Sequence, residues 1–288
     1  MTIEILPLAG VIGAEIRGVD VGTIDDAIFA VVHQALLDHG VIVLRDQDIT
    51  PAQQIAFAKR WNGLHTHPYL AGLPEHPELI EIVKEPEEEG GFGAHWHTDQ
   101  IFTPAPSMAT MLYAKVVPTA GGDTLFASMR AAYEALSDGM KAMLRDVRTF
   151  SRYNKTAKRS GKMSNKVTEL DTPSDPAVHP LIRVHPETGQ PGLYINDMEN
   201  MPHLDGMTVD ESGPIINYLM RHATRAEFTC RVRWEVGSLG IWDNRQVMHM
   251  ALNDYPGQRR VMHRLTIKGD VPFGLEKAEQ QPSSSSSN

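Results

Sequence analysis

Short apolar runs broken by Gly and Pro recur along almost the whole chain: "TIEIL", "VIVL", "ELIEIV", "MATMLYAKVV", "LIRVH", "GLYIN", "EFTCRVRW", "LGIWDN" and "VMHRLTIKG". Most are too short for a stable helix, and they are rich in β-branched and aromatic residues, so they predict strands. Helical patterns are few. "DDAIFAVVHQALLDHG" ends at Gly40, Thr50 and Pro51 read as an N-cap and first helical residue for "PAQQIAFAKRW", and a third stretch covers "MRAAYEALSDGMKAMLRDV". Many short strands with a few helices predict a mainly β fold with flanking helices, a sandwich or jelly roll. No repeat at solenoid period and no internal linker divides the chain, so the expectation is a single domain over 1–275. The polar "QQPSSSSSN" end has nothing to bury, and 276–288 is expected to be a disordered tail.

Two strands fix which side chains face together. In "EFTCRVRW", Phe228, Cys230, Val232 and Trp234 share one face and Thr229, Arg231 and Arg233 the other, making Cys230 a small core residue. In "RVMHRLTI", Arg260, Met262, Arg264 and Thr266 oppose Val261, His263, Leu265 and Ile267. If the second set packs in a core, two guanidinium groups point together into whatever the first set lines. Inside a barrel mouth that is an anion site.

The segment "GAHWHTDQ" supplies metal-capable groups. His95, His97 and Asp99 alternate, and on an extended strand they share a face. The outer two would then lie roughly 13 Å apart, too far to share an ion bound at about 2.0–2.2 Å. His97 therefore pairs with His95 or with Asp99. An H-x-H pair is cupin-like and would suit a metal hydrolase or isomerase using His95, His97 and His249. An H-x-D pair plus a remote His is the facial triad of non-haem iron oxygenases.

Bulk properties narrow the partners. A formal net charge of −9 argues against a general nucleic-acid binder, and there is no apolar run long enough to span a bilayer. Cys230 is the single cysteine, so no intrachain disulfide can form, and a cytoplasmic setting is expected. Between Asn154 and Pro180 the chain is polar and basic in its first half, which reads as a lid candidate over 154–180 or as a solvated surface loop.

Taken in order, "LPLAGVIGAEIRGVDV", "WHTDQIF", "GGDTLFASM", "AAYEALS", "WDNRQVMHMA" and "YPGQRRVMHR" resemble the taurine dioxygenase and phenoxyalkanoate dioxygenase family of Fe(II)- and 2-oxoglutarate-dependent oxygenases. The likeness runs from about residue 4 to residue 274. It implies a double-stranded β-helix (jelly-roll) core, with Fe(II), 2-oxoglutarate and O₂ as cofactor and co-substrates. It makes His97, Asp99 and His249 the iron ligands, Thr124 and Arg260 the anchors of the 2-oxoglutarate distal carboxylate, and Arg264 the partner of an anionic substrate. His67 and Tyr69 fall near substrate-contacting positions of taurine-type enzymes. Gly93 stands where those enzymes carry an Asn, and Met198 or Met201 where they carry an aromatic residue. His95 becomes a pocket or neighbouring residue. The implied reaction hydroxylates a small organic anion, a sulfonate or alternatively a phenoxyalkanoate or other carboxylate, and releases succinate and CO₂. A homo-oligomer, dimer or tetramer, is the family expectation. A non-catalytic jelly-roll anion binder is the remaining alternative. Trp242 and Asp243 are candidates to orient His249, with core packing an equal reading for Trp242, and His263 is expected to be buried or hydrogen-bonded in the barrel wall.

Overall fold

The structure, a computed structural model, describes residues 2–67, 70–153 and 176–276. In chain order the elements are β1 (Glu4–Pro7), β2 (Ala14–Arg17), α1 (Asp26–His39), β3 (Val41–Leu44), α2 (Pro51–Ala58), β4 (Leu64–His65), β5 (Ile80–Lys84), β6 (Ala109–Val116), β7 (Thr124–Ser128), α3 (Met129–Glu134), α4 (Asp138–Leu144) and β8 (Arg148–Ser151). They continue with β9 (Ala177–Pro180), β10 (Ile182–Val184), β11 (Pro191–Leu193), β12 (His203–Leu204), α5 (Val209–Ala223), β13 (Thr229–Val232), β14 (Leu239–Asp243), β15 (Val247–Ala251) and β16 (Arg260–Ile267).

An eight-stranded sheet runs β1-β2-β3-β14-β6-β16-β4, with β5 also paired to β16; a three-stranded sheet, β13-β7-β15, stands opposite it. Only β2 and β3 pair in parallel among the described strands. Alternation along each strand builds two layers of core. On β3, Ile42 and Leu44 pack outward against α1 and α2, while Val41 and Val43 pack inward between the sheets. On β6, Met111 and Tyr113 join the outer cluster and Leu112 and Ala114 the inner one; on β16, Leu265 and Ile267 go out and Met262 goes in. The small sheet contributes Phe126, Cys230, Val232 and Val247 to the interior, joined by Trp234 just after β13, and Ala127 and Met248 to a third cluster under α3 and α5. This is the expected jelly roll. The predicted facing of β16 holds, and that of β13 holds for Cys230, Val232 and Trp234; Phe228 is a correction, because the chain makes a 3-10 turn over Ala226–Phe228 before the strand begins and turns that ring into the cluster under α3 and α5.

The helices differ from expectation in two places. The third predicted helix divides into α3 and α4, because the Ser137 side chain accepts from the Met140 N–H and starts a new helix. The 15-residue α5 was not expected at all, since Gly213 and Pro214 break its pattern. Its signal was the capping box: Thr208 accepts from the Glu211 N–H while the Glu211 side chain accepts from Thr208. Of the lid candidate, residues 154–175 lie outside the described residues, and Ala177–Pro180 is strand β9, paired to β8. Of the expected tail, 277–288 lies outside the described residues.

Candidate active site

The site lies between the two sheets. On β15, His249 points inward, opposite Phe126 of β7, and Ala251 lies opposite Thr124. The "GAHWH" segment is then tied alongside β15 as an irregular further strand. The His97 N–H donates to the His249 carbonyl at 3.0 Å, the His249 N–H to the His97 carbonyl at 2.9 Å, and the Ala251 N–H to the Gly93 carbonyl at 2.9 Å. Gly93 has φ +69°, and a Cβ there would sit 3.0 Å from His97 Cε1, so a glycine is what lets this segment close over the imidazole.

These bonds bring His97, Asp99 and His249 together, with one ligand atom of each within 4.8 Å of the others. His97 Nε2 lies 3.8 Å from Asp99 Oδ1, and His249 Nε2 lies 3.9 Å from Asp99 Oδ2. His97 Nδ1 is 2.7 Å from the His95 carbonyl, to which it donates, leaving Nε2 as the free lone pair facing the other two groups. His95 itself turns away, with Nε2 3.5 Å from Asp197 Oδ2. Of the two pairings open in the sequence, H-x-D is the one the fold assembles.

Asp99 is oriented from both sides. Asn244 Nδ2 donates to Thr110 Oγ1 at 2.9 Å, and Thr110 Oγ1 donates to Asp99 Oδ2 at 2.6 Å. Arg264 Nη2 lies 2.8 Å from Asp99 Oδ1. Burial opposes the carboxylate charge, yet the Arg264 guanidinium and the Thr110 hydroxyl hold its pKa well below the usual range. His249 is held neutral by burial and by His97. Two imidazoles and one carboxylate form the two-nitrogen, one-oxygen set suited to Fe(II), and three protein ligands leave coordination positions open.

Arg260 and Thr124 sit one step deeper, in a cavity of about 40 Å³ that also touches His97, Asp99, His249, Trp242 and Arg264. Thr124 Oγ1 accepts from Trp234 Nε1 at 2.9 Å, which leaves its own proton to donate. Arg260 is buried, its Nε and Nη2 have no hydrogen-bond partner, and among the described residues no carboxylate pairs with it. Burial draws its pKa down, against a bond with Tyr255 and the charge of Asp123. A buried guanidinium with orphaned donors is costly unless an anion completes it, so the cavity could take a carboxylate.

A second cavity of about 110 Å³ opens on the other side of the triad and includes His67, Phe102, Tyr153, Asn196, Asn200 and Arg264. His67 is buried, and burial with the nearby Arg264 pushes its pKa down to about 3, so it enters the cavity neutral. Tyr69 lies outside the described residues. Met198 is a correction: its Sδ and Cε reach toward Gly213 of α5, and it packs against the cluster under that helix, not along the cavity. Met201 is fully buried in the same cluster. Asn196, Glu199 and Asn200 take the lining role there. Asp243 is a second correction. It lies on the opposite pleat of β14 from Trp242 and bonds Arg245 and His185, so it does not reach His249. Trp242 does pack against the imidazole, ring centroids 4.7 Å apart. His263 is buried beside Glu81, as expected for the wall.

Residues 4–266 match the model of the family described as taurine catabolism dioxygenase TauD, TfdA family. The chain belongs to the TauD/TfdA dioxygenase family. An alpha-ketoglutarate-dependent sulfate ester dioxygenase of Pseudomonas putida is 31% identical, over 96% of this chain and 93% of that protein. An (S)-phenoxypropionate/alpha-ketoglutarate-dioxygenase of Delftia acidovorans is 30% identical, over 87% of this chain and 89% of that one. The crystal structure of a taurine dioxygenase from Burkholderia xenovorans superposes with a TM-score of 0.81 at 33% identity, covering 96% of this chain and 94% of that one. Like the family, this chain is an alpha-ketoglutarate-dependent dioxygenase.

Proposed function

We propose that His97, Asp99 and His249 hold Fe(II), that Arg260 and Thr124 hold the distal carboxylate of 2-oxoglutarate, and that a small organic anion is hydroxylated in the cavity lined by His67, Phe102, Tyr153 and Arg264. When bound, the iron couples oxidative decarboxylation of 2-oxoglutarate, giving succinate and CO₂, to hydroxylation of a substrate C–H by O₂. The chain's own residues orient and desolvate. Arg260 supplies two free N–H donors to a carboxylate, and Thr124 one O–H, while the Trp242 ring fixes His249. The Asn244–Thr110 chain keeps Asp99 aimed at the two imidazoles. If the hydroxylated carbon bears a sulfonate or an ether oxygen, the product breaks down to sulfite and an aldehyde, or to an alcohol and a carbonyl compound.

The observation that carries this reading is the buried, carboxylate-free Arg260 sharing one cavity with the His97, Asp99 and His249 cluster. The cupin-like alternative needed His95 in that cluster, and His95 pairs with Asp197 instead. A sulfonate is the preferred substrate class, with phenoxyalkanoates and other carboxylates next. One catalytic domain over 1–275, working as a cytoplasmic homo-oligomer, completes the reading; a lone buried Cys230 suits a reducing compartment.

Anaerobic titration with Fe(II) and 2-oxoglutarate tests it. A weak visible charge-transfer band is expected, abolished in His97→Ala and Asp99→Ala and kept in His95→Ala. Absence of the band in the unaltered protein, together with no succinate on adding O₂, would overturn the reading.

A further inference from the structure

Gln100 follows Asp99 directly and lines the larger cavity, yet it has no place in the machinery above. Gln100 is buried, at 3% exposure, and among the described residues neither its Nε2 nor its Oε1 has a hydrogen-bond partner. Leaving a whole carboxamide unpaired in the interior is unfavourable, and such groups in native proteins call for a partner supplied from outside the chain. The backbone adds an independent observation. Gln100 adopts φ +55°, one of two non-glycine residues with positive φ among those described, and its carbonyl is locked by bonds from the Thr103 N–H at 2.9 Å and the Thr103 hydroxyl at 3.0 Å. Glycine or asparagine would adopt that conformation more readily. A strained backbone holding an unsatisfied amide beside the reacting centre is a pattern of ligand recognition sites.

A second orphan lies in the same cavity. Arg264 gives Nη2 to Asp99, but its Nη1 is buried and, among the described residues, has no hydrogen-bond partner. Resting on the oxygenase reading above, we infer that Gln100 is a specificity-determining residue whose carboxamide N–H and the Arg264 Nη1 together bind the anionic head of the substrate. Two donors on one head require a group with at least two oxygens, such as a sulfonate, a sulfate ester or a carboxylate. The orphaned Oε1 adds a preference for substrates that carry an O–H or N–H close to that head. Arg264 supplies charge; Gln100 supplies the shape of the hydrogen-bonding pattern.

The test compares unaltered protein with Gln100→Gly and Gln100→Glu, using hexyl sulfate, hexanesulfonate, taurine and 2,4-dichlorophenoxyacetate as probes. Each probe is titrated anaerobically into the protein loaded with Fe(II) and 2-oxoglutarate, following perturbation of the charge-transfer band. Succinate release under O₂ is then measured for KM and kcat. Gln100→Gly suits the backbone, so a merely structural Gln100 predicts equal or higher Tm with unchanged KM and Kd. The inference expects Tm equal or higher, but Kd and KM for the best probe raised at least about tenfold, one lost hydrogen bond to a charged group. Gln100→Glu places a carboxylate against the anion and is expected to raise both further, with a smaller change in kcat. Unchanged KM and Kd in both variants would overturn the inference, as would a normal band in unaltered protein that none of the four probes perturbs. Loss of the band in unaltered protein is a different failure, that of the oxygenase reading itself.

Discussion

Arg260 shows how a single side chain can be arranged for an absent anion at the expense of the protein alone. Its guanidinium is buried and carries two unused donors, and Tyr255 is a neutral partner. Removing a cation usually leaves a buried counter-charge stranded; here no carboxylate is paired to it among the described residues, so that penalty does not arise. Arg260→Met is therefore expected to leave the Tm of the ligand-free protein equal or higher. The same change should weaken 2-oxoglutarate binding by at least about 100-fold, the loss of two charge-assisted hydrogen bonds. Thermal unfolding and equilibrium titration with 2-oxoglutarate read the two effects separately. A variant that unfolds early but binds normally would show that Arg260 is structural. The arginine pair was visible in the sequence because a strand alternates strictly, so Arg260 and Arg264 had to share a face. That Arg264 would spend one arm on Asp99 was not visible, since the two residues are joined only by the packing of sheets. Gln100, Asn196 and Asn200 escaped for the same reason: they lie in loops, where no period assigns a facing.

At the scale of elements, β14 lies between β3 and β6 and supports the site from below. Gly240 is its thinnest point: a Cβ added there would meet the Trp234 ring at 2.6 Å. Trp234 in turn donates to Thr124, so strand, ring and hydroxyl form one stack. Gly240→Ala should push the indole off Thr124, destabilising the fold by about 1–3 kcal/mol through overpacking. It should also weaken 2-oxoglutarate binding without touching any residue that meets the ligand. A Tm decrease with unchanged 2-oxoglutarate affinity would show that Thr124 does not need the indole. Further out, Thr208→Ala removes the N-cap of α5 and is expected to cost about 1 kcal/mol, with ligand binding unaffected. Strands such as β3 and β6 were legible as short apolar runs, because both of their faces are buried, one in each of two cores. The α3–α4 break and α5 were harder to read, since Ser137, Gly213 and Pro214 conflict with the surrounding helical pattern and only the capping bonds resolve the conflict. Very short strands such as β4 and β12, two residues each, exist only through their partners and carry no period of their own.

Across the whole molecule, one polar chain joins parts that are far apart in sequence. Asp243, at the end of β14, is fully buried and accepts from Arg245 at 2.8 and 2.7 Å, with His185 Nε2 at 3.0 Å. Arg245 continues to Glu187 at 2.7 Å, Glu187 to His33 of α1 at 2.7 Å, and Trp61 donates to His33 at 2.8 Å. The turn after β10, the large sheet and the helical layer are thus tied together. The same short segment holds Trp242 against His249 and Asn244 against Thr110, so the tie also anchors two supports of the metal cluster. Arg245→Leu strands the Asp243 carboxylate and is expected to cost about 3–5 kcal/mol. In a chain of this size that corresponds to a Tm loss on the order of 10 °C. Adding Asp243→Asn to that variant removes the stranded charge and should recover part of the loss, which a double-mutant cycle on Tm measures. The pH dependence has a definite sign. The bond with His33, assisted by Arg245 against the effect of burial, lowers the Glu187 pKa from 4.5 to about 2. The unfolded chain therefore binds the proton more readily, so Glu187 contributes stability above its unfolded value and loses that contribution as pH falls from 4.5 to about 2. Glu187→Gln should accordingly lower Tm near neutral pH, with the difference from the unaltered protein shrinking across that acid window. A difference that stayed constant down to the lowest pH would mean that the carboxylate charge is not what joins the turn to the helices.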